Sequence, residues 1–123
     1  MRCHTEFFGP ARAEMSTDVD AALGGRGEMP TPGEVLAATV ASCMLSMVAY
    51  TGERKGFATA GICIEAACGE GKQGIGSLEL NITVPMRTTE QERRFIEGAV
   101  ANCPVGNSLH PDIAKHITWH WAE

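Results

Sequence analysis

The chain has 123 residues, with 15 acidic and 10 basic side chains and a formal net charge of −5. That length suits a single domain spanning 1–123, and hydrophobic residues at 44% make the composition globular rather than disordered. An acidic chain without a clustered basic patch argues against nucleic acid as the main partner and against polybasic attachment to a membrane.

Met1–Glu6 carries charge and leads into Gly9-Pro10 rather than an apolar stretch, so no secretory signal is expected. The five cysteines are odd in number, contain no CxxC and follow no secreted-scaffold spacing. They read as reduced thiols in a cytoplasmic protein. The Asn81-Ile82-Thr83 sequon has no meaning in that compartment. No internal repeat or low-complexity tract is present.

Cys3, Thr5 and Phe7 alternate with Arg2, His4 and Glu6; beyond Gly9-Pro10, Ala11, Ala13 and Met15 alternate with Arg12, Glu14 and Ser16. Period two on both sides of a turn predicts a hairpin of half-buried strands. The glycine loop Leu23-Gly24-Gly25-Arg26-Gly27 is not GxGxxG and opens no helix directly, so phosphate binding is not expected there.

Thr31, Pro32 and Glu34 supply an N-cap, a residue suited to the first helical position and a capping box. They predict a helix from Pro32 to about Lys55, stopping before Gly56. Between Val35 and Thr51 this helix has no charge on any face. It is too short and too rich in Ala, Ser and Thr for a membrane span, so it must be buried all round. One modest sheet covers only part of such a helix, and the simplest cover for the remainder is a second copy of the chain. A homodimer with this helix at its centre is therefore predicted.

Two strands follow, over about Gly61 to Cys68 and Ser77 to Val84, joined through Glu70–Gly74. In the second, Leu78, Leu80, Ile82 and Val84 alternate with Glu79, Asn81 and Thr83. Thr89 and Glu92 form another capping box, opening a helix whose apolar stripe is Phe95, Ile96, Ala99, Val100 and Cys103. Pro104 ends it. A last strand carries Ile117, Trp119 and Trp121 on one face and His116, Thr118 and His120 on the other. The order ββαββαβ is that of an α+β domain.

Cys43 in the apolar helix and Cys103 at the end of the second stripe have two readings: small core hydrophobes, or a redox pair on packed helices. An apolar setting raises a thiol pKa and mid-helix offers little dipole help, so a reactive Cys43 needs a nearby cation. GGRGEMPTPGEVLAATVASC with the following KG resembles the pre-helix loop and central helix of the OsmC/Ohr family. These are osmotically induced protein C and the organic hydroperoxide resistance proteins. CPVGNSL at Cys103–Leu109 is similar to that family's second cysteine motif, and the element order agrees over nearly the whole chain.

The resemblance implies an intertwined homodimer in which two β-sheets wrap central helices. It also implies thiol-dependent reduction of organic hydroperoxides, with Cys43 as peroxidatic and Cys103 as resolving cysteine, reset by an external dithiol. In the peroxidase branch a glutamate directly follows the proline before the helix, and an arginine from the N-terminal strands activates the thiolate. Here Gly33 follows Pro32 and the glutamate is Glu34, a placement found in relatives of uncharacterised function. Arg12 is the first candidate for the arginine and Arg26 the second; each also reads as a surface charge, and Glu34 as a cap. The alternative function is a non-catalytic OsmC-like dimer that binds a small apolar ligand or senses oxidation.

Cys3, Cys63 and Cys68 read as strand filler, and Met44 and Met47 as packing. His116 and His120, four apart on a strand, are separated by roughly 13 Å and cannot share one ion. His4 and His110 have no evident partner. No metal and no cofactor are expected.

Overall fold

Capping and alternation decide most of the chain. A computed structural model describes residues 1–123 in the order β1 (Arg2–Phe8), β2 (Arg12–Asp18), a 3-10 turn (Ala21–Leu23), α1 (Pro32–Lys55), β3 (Cys63–Gly71), β4 (Gly74–Val84), α2 (Glu90–Ala101), α3 (Pro104–Asn107) and β5 (Ala114–Trp121). The predicted ββαββαβ order holds, with two short additions, the 3-10 turn and α3. The fold is α+β with a two-stranded sheet, β1-β2, and a three-stranded sheet, β3-β4-β5. The residues fall into two compact units, Met1–Leu36 and Ala37–Glu123.

In the first unit β1 and β2 pair antiparallel, from Arg2 opposite Asp18 to Phe8 opposite Arg12. The predicted half-burial of both strands is not met: Thr5 is the only partly covered residue of β1, and Phe7 and Phe8 are 46% and 71% exposed. A two-stranded ribbon has no second layer of its own to cover its faces. Burial begins at its open end, where Asp18 is 2% exposed. Its carboxylate accepts from the Met1 α-amino group at 3.0 Å, Val19 N–H at 2.9 Å and Arg26 N–H at 3.1 Å, and Asp18 N–H donates to Pro30 O. The α-amino group, followed by the backbone donors, holds the Asp18 carboxyl below the usual range. Gly25 is required here, since a Cβ would collide with the Val19 carbonyl. The unit ends in the first turn of α1, where Thr31 and Glu34 form the predicted reciprocal cap, at 3.4 and 3.1 Å.

The second unit opens with the rest of α1, which stops at Lys55 as predicted; Gly56 follows at φ +80°, its N–H bonded to Gly52 O. β3 and β4 pair antiparallel, and β5 joins β4 in parallel, with α2 and α3 forming the crossover a parallel pair requires. The β3–β4 hairpin runs further than the side-chain pattern predicted, leaving only Lys72-Gln73 outside the strands. Glycines at 69, 71, 74 and 76 carry no alternation signal, yet Gly69, Gly71 and Gly74 still pair, and Gly76 is the residue passed over at the irregularity between Gly69 and Glu70.

α2 begins at the predicted Thr89 capping box, with hydrogen bonds of 2.8 and 3.1 Å, but it ends at Ala101 rather than at Cys103. The core joins Ala37, Val40, Met44 and Val48 of α1 to Leu78, Leu80, Ile82 and Val84 of β4 and Ile96, Ala99 and Val100 of α2. Each such aliphatic side chain contributes about 1.5–3 kcal/mol when fully buried.

Candidate functional site

The second unit brings two of the predicted residues together. On α1, Val40 and Met44 point into the core, and Cys43 lies between them on the flank, partly exposed. Cys103 is 1% exposed and caps α3, because Pro104 takes that helix's first position. Its Sγ accepts from Gly106 N–H at 3.3 Å, and its thiol lies 3.8 Å from the Val40 carbonyl as donor. Asn107 N–H closes the turn on Cys103 O at 3.0 Å.

The Cys43 thiol lies close enough to Cys103 to act on its ionisation. Burial pushes the Cys103 thiol up, the Gly106 N–H pulls it partly back, and Cys43 adds to the rise. Both cysteines are free thiols. One is thus a protonated thiol held by backbone in the core, and the other reaches the surface beside it. A disulfide between them requires the two Sγ atoms to close to about 2.05 Å.

Glu34 and Arg12 belong to the first unit and have local partners there. Glu34 is exposed and occupied in the α1 cap. The exposed Arg12 guanidinium lies 5.1 Å over the Phe8 ring, and Arg26 contributes its backbone N–H to Asp18. Cys3 and Cys63 are exposed, while Cys68 packs partly against the core. His116 and His120 lie on the exposed face of β5, as alternation predicts.

Two features escaped the sequence reading. His4 has neighbours after all: Glu6 at 3.7 Å on its own strand and Glu14 at 4.0 Å across the hairpin, all three exposed. Lys115 shares the core-side face of β5 with Ile117, Trp119 and Trp121, and its Cε reaches toward Gly106 in the Cys103 turn. The period-two pattern of β5 carries that signal one step upstream of Ile117.

Along the open side of α1, Ala38, Ala41, Ser42, Leu45, Ser46 and Ala49 with Ile64 and Ala66 of β3 line a groove of about 530 Å³. Contrary to the sequence expectation, α1 at 24 residues is long and apolar enough to cross a membrane by length and composition, a test that the core helix of a soluble protein also passes; 33% of its apolar window is buried within the chain.

The family model described as OsmC-like protein matches residues 25–117. No curated protein matches. Among solved structures, a candidate osmotic stress induced and detoxification response protein from Psychrobacter arcticus 273-4 superposes with a TM-score of 0.87 at 24% identity, over 95% of this chain and 88% of that one. An organic hydroperoxide resistance protein from Elizabethkingia anophelis gives 0.70 at 21% identity, over 99% and 96% of the two chains. The organic hydroperoxide resistance protein OhrB of Bacillus subtilis gives 0.63 at 15%, over 99% and 98%. At these identities the solved structures establish the shared fold.

Proposed function

The chain belongs to the OsmC-like protein family, and from that membership we propose that it is a homodimeric, thiol-dependent peroxidase acting on organic hydroperoxides through Cys43 and Cys103. The observation that carries this reading is the proximity of a partly exposed Cys43 to a buried, backbone-held Cys103. Two structural neighbours are named for organic hydroperoxide resistance, which supports the substrate class.

In this reaction the Cys43 thiolate attacks the peroxide O–O bond. A sulfur–oxygen bond forms, the O–O bond breaks, and the departing alkoxide takes a proton to leave as an alcohol. The Cys103 thiol then condenses with the Cys43 sulfenic acid, forming the disulfide and releasing water, and an external dithiol reduces the bridge. A reactive Cys43 needs a cation, for which Arg12 is the first candidate and Arg26 the second. The apolar groove along α1 supports two further parts of the reading: a second copy covers it, and the site favours alkyl over hydrogen peroxide. A reduced cysteine pair suits a cytoplasmic setting.

The decisive experiment titrates reduced protein with one equivalent of cumene or tert-butyl hydroperoxide, followed by non-reducing peptide mass spectrometry. The expected product is a Cys43–Cys103 bridge within seconds. Cys103→Ser should accumulate sulfenic acid at Cys43, and Cys43→Ser should not react. Thiols that remain reduced for minutes would remove the peroxidase and leave the ligand-binding dimer.

A further inference from the structure

The helix-facing side of the three-stranded sheet is apolar except at one position. In register across it stand Ile64, Ala66 and Cys68 of β3, Leu78, Leu80, Ile82 and Val84 of β4, and Ile117, Trp119 and Trp121 of β5. Lys115 occupies the same face, beside fully buried Leu78 and in one row with Cys68. A charge on the core side of a sheet costs desolvation unless something of opposite sign meets it. Lys115 is half-buried and forms no salt bridge.

What it approaches is the second cysteine. The point where a Cβ on Gly106 would sit lies 3.3 Å from Lys115 Cε and 3.5 Å from Cys103 Sγ, with Val40 Cγ1 also at 3.5 Å. The lysine stem and the thiol thus line one small space, kept open by the missing side chain of Gly106. The groups facing Cys103 are few. α1 presents Cys43 and the Val40 carbonyl, α2 the apolar Ala99 and Val100, α3 the Gly106 N–H, and β5 Lys115. Lys115 is the cation of that set.

We propose that Lys115 is a positioning residue for the resolving step, its ammonium stabilising the Cys103 thiolate as that thiolate forms. This rests on the reading of Cys103 as resolving cysteine. In the step, Cys103 gives up its thiol proton and its sulfur attacks the sulfur of the Cys43 sulfenic acid. The S–S bond forms as the S–O bond breaks, and the leaving hydroxide takes up a proton to become water. The two sulfurs share the oxidation that the peroxide delivered, and Lys115 exchanges no proton in the step. Burial opposes ionisation of Cys103, and the Gly106 and Val105 N–H groups offset it only in part. A cation whose stem lines the same poorly solvated space acts far more strongly than one in open water. The same charge favours Cys103 thiolate as leaving group when the disulfide is reduced.

The test reads Cys103 directly. In the Cys43→Ser protein, iodoacetamide alkylation of Cys103 is followed by peptide mass spectrometry across pH, with Lys115 intact and as Lys115→Met, Lys115→Gln and Lys115→Arg. Loss of the ammonium is expected to move the alkylation midpoint up by about one pH unit, so that alkylation below it slows roughly tenfold. Lys115→Arg should stay within about twofold of the parent. With both cysteines present, Lys115→Met should slow disulfide formation after peroxide without slowing the first appearance of sulfenic acid. Superimposable alkylation profiles in folded Met and Gln variants would overturn the assignment. Because alkylation needs no peroxide, it decides Lys115 even if peroxide fails to oxidise Cys43, a failure that would count against the peroxidase instead.

Discussion

Cys103 is set apart from the other cysteines by what its sulfur touches, a backbone N–H at 3.3 Å and a carbonyl at 3.8 Å, with the Cys43 thiol near enough to act on its ionisation. Burial is the largest influence on its ionisation and raises its pKa above the ordinary 9.0. The consequence for stability has a definite sign. The unfolded chain ionises Cys103 at the ordinary value while the folded chain resists, so the stabilisation is complete below about pH 9 and is lost as pH rises toward the folded value. Urea midpoints of wild type and Cys103→Ala should therefore differ by a constant amount at neutral pH and converge above pH 9. A gap that stays constant to pH 10.5 would contradict the assigned direction. At neutral pH Cys103 is a thiol, which is why an oxidised Cys43 needs local help to be resolved.

At the scale of elements, two helical glycines have opposite expected effects for one physical reason. Alanine is favoured over glycine in a helix interior by about 0.8–1.0 kcal/mol. Around Gly98 of α2 nothing lies within 4 Å of the added Cβ, so Gly98→Ala should raise stability by roughly that amount. At Gly52 of α1 the same Cβ would run into the Thr59 side chain and come within 2.9 Å of the Phe57 carbonyl. Overpacking of this kind costs about 1–3 kcal/mol, which outweighs the propensity gain, so Gly52→Ala should destabilise. Thr59→Ser should restore only part of the loss, because the carbonyl remains; equilibrium urea unfolding of the variants checks the signs. A stabilised Gly52→Ala would mean the loop after α1 yields freely.

The legibility of the chain follows the same division between local and tertiary causes. Both capping boxes and the Leu78–Val84 alternation were readable because each is complete within a few residues. α3 was not, since a four-residue helix has too short a period to register; Cys103 was therefore assigned to the stripe of α2 instead of a cap. The β3–β4 turn was placed too wide because glycines pair through backbone alone. Of the site, the two cysteines were found through pattern and resemblance. Lys115 carries no such signal, because a lysine ordinarily reads as solvated surface and only the register beside Leu78 puts it on the core side.

For the whole molecule, the question is what covers the apolar surface that one chain leaves open. Only a third of the most apolar window of α1 is buried, and Phe7 and Phe8 of the hairpin are largely exposed. Ala38, Ala49 and their neighbours form an open groove instead of a closed seam. Contiguous exposed apolar surface of this sort marks an interface, and the self-complementary solution is a two-fold dimer. Sedimentation equilibrium of the reduced protein is expected to give twice the 13.1 kDa chain mass. Ala49 is the informative position, because it is exposed within the chain and so contributes little to the chain's own core. Ala49→Glu places an unpaired carboxylate on the groove and should shift the equilibrium toward monomer by at least tenfold, while Gln73→Glu in the β3–β4 turn should not. A wild-type monomer, or an Ala49→Glu protein as dimeric as its parent, would mean that α1 does not lie at a dimer interface. If the dimer is present and Ala49→Glu also loses peroxide-driven bridging of Cys43 and Cys103, the second copy is part of the site as well as its cover.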